Sequence, residues 1–538
     1  MMKRIFPIIS LFIVGLVIWF PIFKIFYLQE EWLGLGHILV EKASHPFSGV
    51  NLIQLILGEN RSLARVLGLL FFGHYRFNAL PVAIFSYALH VVNSYLVLLL
   101  AQKITSKAWI AFLAGLTFLV SSVAANTVYW FSTSVGTLPA TTLILLATLI
   151  YLKFVDYGKR KYVAFAFAFL YTSLFFKEIG IYLFALFPLA SLLFKKLKLN
   201  KFLYTWWPYL TFFLIVTIVR VGELKGIQGE KALFLTGESS SFLPTLIARA
   251  IFYPLTSFSL QFIPPASLFN FGRFFTNLYY PIFSPEDYLL IVQTVVLDLF
   301  AIMFTFIILV LVFKLSKKLR PIEKKYLIFL TCFSVLSFLP YAVVGKNFSY
   351  LESRYYYLSL TSGSIIFAWL VGFLFQIKRK VFKIAGMIFV VTFLAWHTLF
   401  LSKDLSKEKA ISTERKNFIS QLKEFQPTLS HDRNIFFITS DSDYYATGNK
   451  VPFQQGTGYT LMVLYYDNGK IPGELFKSDY LFEIGSQGYK EIGNLGFGYF
   501  WDLGEMNRAV QLNKLSEKDI FYLRYDSTNK RLEKLEVN

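Results

Sequence analysis

The chain has 538 residues, 55% of which are hydrophobic, and its mean hydropathy of +0.53 excludes an ordinary soluble protein and is typical of a polytopic membrane protein. The net charge of +20 lies in residues 1–404, which carry 36 Lys and Arg against 15 Asp and Glu, whereas residues 405–538 carry 17 against 18. Because basic residues mark the cytoplasmic connectors of membrane proteins, this charge does not indicate nucleic-acid binding, and we expect no nucleic-acid partner.

Apolar stretches recur along residues 1–404, and a spanning helix needs roughly 20 such residues. The first stretch lacks a small-residue cleavage site, so it is predicted to be a retained signal anchor. The predicted spans are 5–23, 78–102, 108–126, 137–155, 161–176, 178–194, 202–220, 290–313, 326–344, 355–375 and 381–401. The apolar stretch 243–263 does not fit the alternation of sides. It is either a re-entrant or interfacial helix, or it pairs with a second crossing at 266–283, so the expected total is 11–13 spans.

The basic connectors between spans predict the sidedness of the chain. Placing them in the cytoplasm puts the N-terminus inside and the loops 24–77 and 345–354, the turn at Lys177 and the C-terminal region outside. This is the pattern of a multi-pass protein of the inner (plasma) membrane. The single cysteine, Cys332, lies within a predicted span, which excludes a disulfide framework and a thiol metal site.

The outer loop 24–77 is far longer than a simple connector, and it carries a pair of carboxylates near its beginning. Its amphipathic stretches are expected to lie in the membrane interface with their apolar faces down. They are Leu33–Val40, Val50–Leu57 and Leu63–Phe72. Glu30 and Glu31 follow the first span directly, where a carboxylate is costly. They are either solvated charges at a helix end or a base at the mouth of a membrane cavity, and for the second role we favour Glu31.

Further polar residues cluster at the predicted outer ends of other spans. They are His74, Tyr75, Arg76, Asn78, His90, Asn93, Lys177, Glu178, Glu352, Arg354 and Tyr355. An Arg offers a planar fork that suits phosphate, and a Lys offers a compact charge. We therefore expect Arg76, Lys177 and Arg354 to hold a phosphorylated head group, with the other residues lining the cavity. The alternatives are interfacial anchors for the arginines, an ion pair for Lys177 with Glu178, and inter-helix hydrogen bonds for His90 and Asn93.

The character of the chain changes near residue 405. The segment Asn434–Thr439 reads as a buried strand, and several apolar runs bounded by glycine follow it. Residues 405–538 are predicted to form a small extracytoplasmic α/β domain, and residues 1–404 the membrane domain.

Four motifs, in this order, resemble those of the GT-C-fold glycosyltransferases in the protein O-mannosyltransferase-like branch. They are Tyr75-Arg76-Phe77-Asn78 with His90 and Asn93, Trp130 to Gly136, Phe176-Lys177-Glu178, and Glu352-Ser353-Arg354-Tyr355. The resemblance covers roughly residues 5–400. It implies a mainly α, polytopic helical bundle of the GT-C type. Its acidic motif in the first outer loop would correspond to Glu30 and Glu31, and its late arginine to Arg354.

The resemblance implies transfer of a sugar from a polyprenyl-phosphate donor to an acceptor on the outer face of the membrane. The acceptor, whether protein, lipid or glycan, stays open. We expect inverting transfer with an ionised glutamate as general base, whose pKa neighbouring cations would keep low. No cofactor is firmly implied; a divalent metal is compatible with the site, but no compact Asp/His cluster requires one. The alternative is a transporter or flippase for lipid-linked glycans. That alternative predicts ionisable residues deep within spans and symmetric halves, and the sequence shows neither.

Overall fold

The computed structural model describes residues 2–28, 31–32, 35–36, 61–75, 77–195, 199–224, 242–278, 296–343, 353–376, 379–429, 433–440, 457–466, 487–526 and 528–535. The helices up to residue 425 are α1 Met2–Trp19, α2 Ser62–Gly68, α3 Leu80–Thr105, α4 Ala108–Val120, α5 Ala125–Tyr129, α6 Phe131–Tyr157, α7 Arg160–Leu174, α8 Leu183–Lys195, α9 Leu199–Leu224, α10 Phe242–Ser257, α11 Pro265–Asn277, α12 Leu297–Ser316, α13 Pro321–Leu336, α14 Tyr357–Leu374 and α15 Lys380–Phe425. Two helices follow, α16 Thr457–Tyr465 and α17 Leu503–Leu512.

Within the described residues, eight helices are long and apolar enough to cross a membrane, or nine if the bent pair α4–α5 forms one span. The bend of that pair is 46°, at a break after Val120. These candidates coincide with nine of the predicted spans. The predicted spans 161–176 and 202–220 coincide with α7 and α9, which are not among the candidates. The chain is a multi-pass membrane protein built mainly of helices, which confirms the predicted fold class.

The apolar stretch with uncertain sidedness forms two short helices. Helix α10 has 16 residues and α11 has 13, and the chain turns between them before the Pro264–Pro265 pair. Ser259 in that turn is tied to α12, since its backbone N–H donates to Thr305 Oγ1 at 3.1 Å and its hydroxyl donates to the Ala301 carbonyl at 2.8 Å. These bonds satisfy polar groups of a broken helix inside the bundle, as irregular backbone in a membrane protein requires.

The C-terminal part contains a five-stranded sheet. Its strands are β1 Asn434–Ser440, β2 Gly488–Ile492, β3 Leu495–Phe500, β4 Ile520–Asp526 and β5 Arg531–Lys534, and their order is β2-β3-β1-β4-β5. Strand β1 is parallel to β3 and β4, and β2 and β5 are antiparallel at the two edges. All seven residues of β1 are buried, as expected for a central parallel strand covered on both faces. The predicted α/β character of this part is confirmed.

Helix α15 joins the membrane bundle to the sheet. It is continuous over 46 residues, roughly 69 Å at 1.5 Å per residue, and it passes through the predicted boundary at 404/405. On one side, the Ser412 hydroxyl donates to the Phe26 carbonyl, at the end of the first span, at 3.3 Å. On the other, Gln421 Oε1 accepts the Leu532 N–H at 2.5 Å, and Glu414 pairs with Lys530 at 3.0 Å. One helix therefore carries contacts to both parts.

Candidate functional site

The N-terminus of α6 is the point at which the predicted acid meets the rest of the chain. The Glu31 side chain is only 2% exposed. Its Oε1 accepts the Ser132 N–H at 2.8 Å, and its Oε2 accepts the Leu28 N–H at 2.6 Å. The first N–H groups of a helix lack partners within the helix, so a carboxylate here satisfies them and complements the helix dipole. Glu31 thus anchors the first outer loop to the start of α6.

Aromatic rings pack around Trp32, the residue that follows this carboxyl group. Trp32 is fully buried and lies 5.9 Å from Phe26, 6.3 Å from Tyr27 and 5.8 Å from Phe77, measured between ring centroids. Burial disfavours the charged form of an acid. It raises the pKa of Glu31 to about 8, although the backbone N–H groups and the nearby Arg415 act in the opposite direction. The expectation that neighbouring cations would keep this pKa low was therefore wrong, because loss of hydration outweighs them.

Lys177 approaches the same helix about one and a half turns further along. Its Nζ donates to Thr137 Oγ1 at 2.8 Å. Gly136 makes this approach possible, since a Cβ at that position would lie 3.2 Å from the Phe176 carbonyl oxygen and 4.0 Å from Lys177 Cδ. The turn that carries Lys177 is also held by α2, whose Leu63 N–H donates to the Phe175 carbonyl at 3.0 Å.

Arg354 contacts the beginning of α6 from the other direction. Its guanidinium lies 4.3 Å from the Trp130 ring centroid and 5.2 Å from that of Tyr355, as cation–π contacts. The Arg354 carbonyl accepts the Thr127 hydroxyl at 3.2 Å, which ties its segment to α5. Thr137 lies in the second turn of α6 and Trp130 directly precedes its first residue, so both cations reach the beginning of this helix. Arg354 also contributes to lowering the pKa of Lys177, so the two cations lie within electrostatic range of each other.

A third cation, Arg61, belongs to this group. Its Nε pairs with Glu178 Oε2 at 2.8 Å. Burial, Arg61 and Arg354 together lower the pKa of Lys177 to about 7, and Glu178 acts against them. Such mutual repulsion between cations favours the binding of an anion. The sequence analysis did not single out Arg61. Its positive φ of 58°, which is uncommon for a residue other than glycine, distinguishes it only once the backbone is known.

Three predicted cavity residues lie at the entrance of α3. His74 and Tyr75 are exposed, with their rings in edge contact at 4.9 Å. Asn78 Oδ1 accepts the Leu80 N–H at 3.1 Å, and its carbonyl accepts the Tyr27 hydroxyl at 3.4 Å. Asn78 thereby links α3 to the aromatic rings around Glu31.

His90 and Asn93 lie deeper, and both are fully buried. His90 Nε2 donates to the Leu119 carbonyl at 3.1 Å, so its Nδ1 accepts the Tyr357 hydroxyl at 2.8 Å. Asn93 Nδ2 donates to the Leu138 carbonyl at 3.2 Å, and its Oδ1 accepts the Thr142 hydroxyl at 2.7 Å. These bonds connect α3, α4, α6 and α14, and they give both residues a role in helix association.

Glu30, Arg76 and Glu352 lie outside the described residues, as do most of the predicted amphipathic stretches in the first outer loop. In the part of the chain that the structure describes, no group of three or more His, Cys, Asp or Glu residues is placed to hold a metal ion. In the described residues, the site is therefore the buried carboxyl group of Glu31 and three cations at the N-terminal end of α6, with Glu178 paired to one of them, Arg61.

No protein-family model and no curated protein matches this chain. Among solved structures, it is similar to the archaeal oligosaccharyltransferase AglB from Archaeoglobus fulgidus, whose structure contains an inhibitory peptide and a dolichol-phosphate. The TM-score is 0.40 and the sequence identity is 11%. The match covers 85% of this chain and 63% of the length of AglB.

Proposed function

We propose that this protein is an integral membrane glycosyltransferase that moves a hexosyl group from a polyprenyl-phosphate donor to an acceptor on the outer face of the membrane. The observation that carries the proposal is that an acid and two cations from distant loops meet at the N-terminal end of α6, which we place at the outer face. An acid from one loop and cations from two others, separated by more than 300 residues, reach this end: Glu31 through Ser132, Lys177 through Thr137, and Arg354 through Trp130. A base and an anion site next to each other are what transfer from a phosphate-linked sugar needs.

The proposed reaction is a single displacement. The acceptor oxygen attacks the anomeric carbon, and the bond from that carbon to the phosphate oxygen breaks, with inversion. Glu31 takes the acceptor proton as general base from its ionised form, which with a pKa of about 8 is the minor form at neutral pH, and Glu30 is the neighbouring alternative. Lys177 and Arg354 stabilise the charge that develops on the departing polyprenyl phosphate, and Arg76 is proposed to join them. The acceptor is a protein, a lipid or a glycan.

Radiolabelled donors test this function directly. Purified protein in liposomes would be given polyprenyl-phosphate hexoses, or the matching nucleotide sugars, together with a membrane extract that supplies acceptors. Label should pass from the polyprenyl phosphate to a new product, and no label should be transferred from the nucleotide sugars. Label that only changes leaflet and stays on its lipid would identify a flippase and contradict the proposal.

The reaction requires the site to face outward. We propose that the N-terminus is cytoplasmic and the C-terminal domain extracytoplasmic, because the basic connectors alternate with the loops that carry the site. Alkaline phosphatase fused after Asn538 should then be active, whereas green fluorescent protein fused there should not be fluorescent after export by the general secretion pathway. The opposite pattern would place the site on the cytoplasmic side.

The lowered pKa of Lys177 predicts a pH dependence of donor binding. The lysine is charged below pH 7 and loses its charge above it, so affinity for a phosphodiester, whose own charge does not change in this range, should fall as pH rises. With a pKa of about 7, the expected loss is roughly tenfold between pH 6 and pH 8. In Lys177→Arg the guanidinium stays charged, and affinity for a short-chain polyprenyl-phosphate sugar should be nearly constant. Equal pH dependence in the two proteins would exclude Lys177 from the donor site.

A further inference from the structure

A large apolar groove lies on the side of the helical bundle that faces the lipid, away from the site on α6. It is formed by α11, α12, α14 and α15 and has a volume of about 1030 Å³, at the upper end of the range for ligand pockets. Its walls are aromatic and aliphatic: Phe271, Phe304, Ile308, Phe367, Phe389 and Phe393. Phe271 and Phe389 are 41% and 51% exposed, so the groove is open to its surroundings.

One end of this groove is strongly basic. Lys314, Lys317 and Lys318 line it, and no acidic side chain is among the lining residues of the described chain. The ammonium of Lys317 lies 4.7 Å from the Phe313 ring centroid, and that of Lys318 lies 4.7 Å from the Phe373 ring centroid. Lys314 lies in the last turn of α12, and Lys317 and Lys318 follow in the connector to α13, which we assign to the cytoplasmic side. Apolar walls thus lead to a cluster of cations at the depth of the inner leaflet's head groups.

We propose that this groove binds an anionic phospholipid of the cytoplasmic leaflet, with its acyl chains along the aromatic wall and its phosphate among Lys314, Lys317 and Lys318. The apolar wall does not select one lipid over another, because acyl chains are equally well accommodated in the bilayer. Selection falls to the lysines, which attract negative head groups at the membrane surface. This inference does not depend on the proposed glycosyl transfer.

The chain of the sugar donor is the competing occupant, and charge argues against it. Its phosphate belongs at the outer face, beside Lys177 and Arg354. The groove residues nearest that face include Phe262 and Trp396, and the lysines line only the opposite end. A phosphate held at the basic end would place a donor on the wrong side of the membrane for transfer.

Native mass spectrometry of the detergent-solubilised full chain tests the proposal. Dioleoylphosphatidylglycerol and dioleoylphosphatidylcholine, which share their acyl chains, would be titrated separately. We expect the anionic lipid to bind about tenfold more tightly. Lys314→Gln/Lys317→Gln/Lys318→Gln should abolish that preference. The matched control, Lys153→Gln/Lys159→Gln/Lys161→Gln, removes three exposed lysines from another basic connector and should keep it.

A second variant tests the groove itself. Leu311→Trp adds volume to the wall without changing charge and should weaken the binding of both lipids, with insertion checked by gel filtration. Equal affinity for the two lipids in the wild-type protein, or an equal loss in both triple variants, would overturn the proposal. So would displacement of the anionic lipid by a polyprenyl phosphate whose own binding survives the triple substitution at the groove.

Discussion

Glu31→Gln is expected to lower the rate of sugar transfer by about 10²–10⁴-fold, the usual cost of removing a general base, while donor binding survives. Glutamine keeps the size of the side chain but cannot accept the acceptor's proton. Glu30→Gln is the matched control, since it makes the same change one residue away, and it should retain most of the activity. Turnover and donor affinity would be measured with a polyprenyl-phosphate sugar.

The buried position of Glu31 demands a second measurement. Its two oxygens accept backbone N–H groups of Leu28 and Ser132, and glutamine offers only one acceptor oxygen. A backbone donor left without a partner costs about 1–3 kcal/mol, so this variant should also melt earlier. Glu31→Asp separates the effects, because it keeps a carboxylate and should recover part of the turnover. If Glu30→Gln were the inactive variant, the base would be Glu30; if neither variant lost at least about tenfold, the assignment of a base here would be wrong.

Arg354→Ala and Lys177→Met are each expected to reduce turnover by about 10²–10³-fold, the range found when one stabilising group is removed from a developing negative charge. Both side chains reach the beginning of α6 and interact electrostatically, so they are expected to act on one phosphate. The double variant should then lose less than the product of the two single losses. Steady-state kinetics of all four proteins would measure this coupling.

The control for Arg354 is another arginine stacked on an aromatic ring. Arg273 lies 4.8 Å from the Phe269 ring centroid on α11, and Arg273→Ala should leave transfer unchanged. Arg354→Lys tests geometry, because a lysine keeps the charge and loses the planar fork. Strictly multiplicative losses would show that Arg354 and Lys177 act independently and not on one phosphate. Reduced stability with normal activity per folded molecule would show that the two residues serve the fold alone.

The sequence predicted the membrane bundle and the sheet domain, because the length and pattern of apolar stretches report directly on spanning helices and buried strands. The side of the membrane on which the polar residues lie stays a prediction from the basic connectors. The sequence also singled out Lys177 and Arg354, which the structure brings to one helix. It did not predict Arg61, which lies in a loop with no periodic pattern to place it. The burial of His90 could not be predicted from the sequence either, since its hydrogen-bond partner Tyr357 lies 267 residues further along the chain.

The pKa of Glu31 illustrates a different limit. The sequence shows which charges exist, and it led to the expectation of an ionised acid among cations. Burial decides the outcome, and it depends on Trp32 and on the rings that pack against it, which come from the segment after α1 and from the segment before α3. Those contacts are tertiary, and no local pattern in the first outer loop indicates them.

The unbroken helix α15 has a consequence for how substrates reach the site. This helix contacts Phe26 on one side and the sheet on the other, so a tilt of the sheet would be transmitted to the end of the first span. Its Arg415 acts electrostatically on Glu31. A large hinge opening between the membrane bundle and the sheet domain would have to break α15 or move Arg415 away from Glu31. Substrate entry should therefore rely on local rearrangement of side chains and loops, with the bundle and the sheet domain moving as one piece.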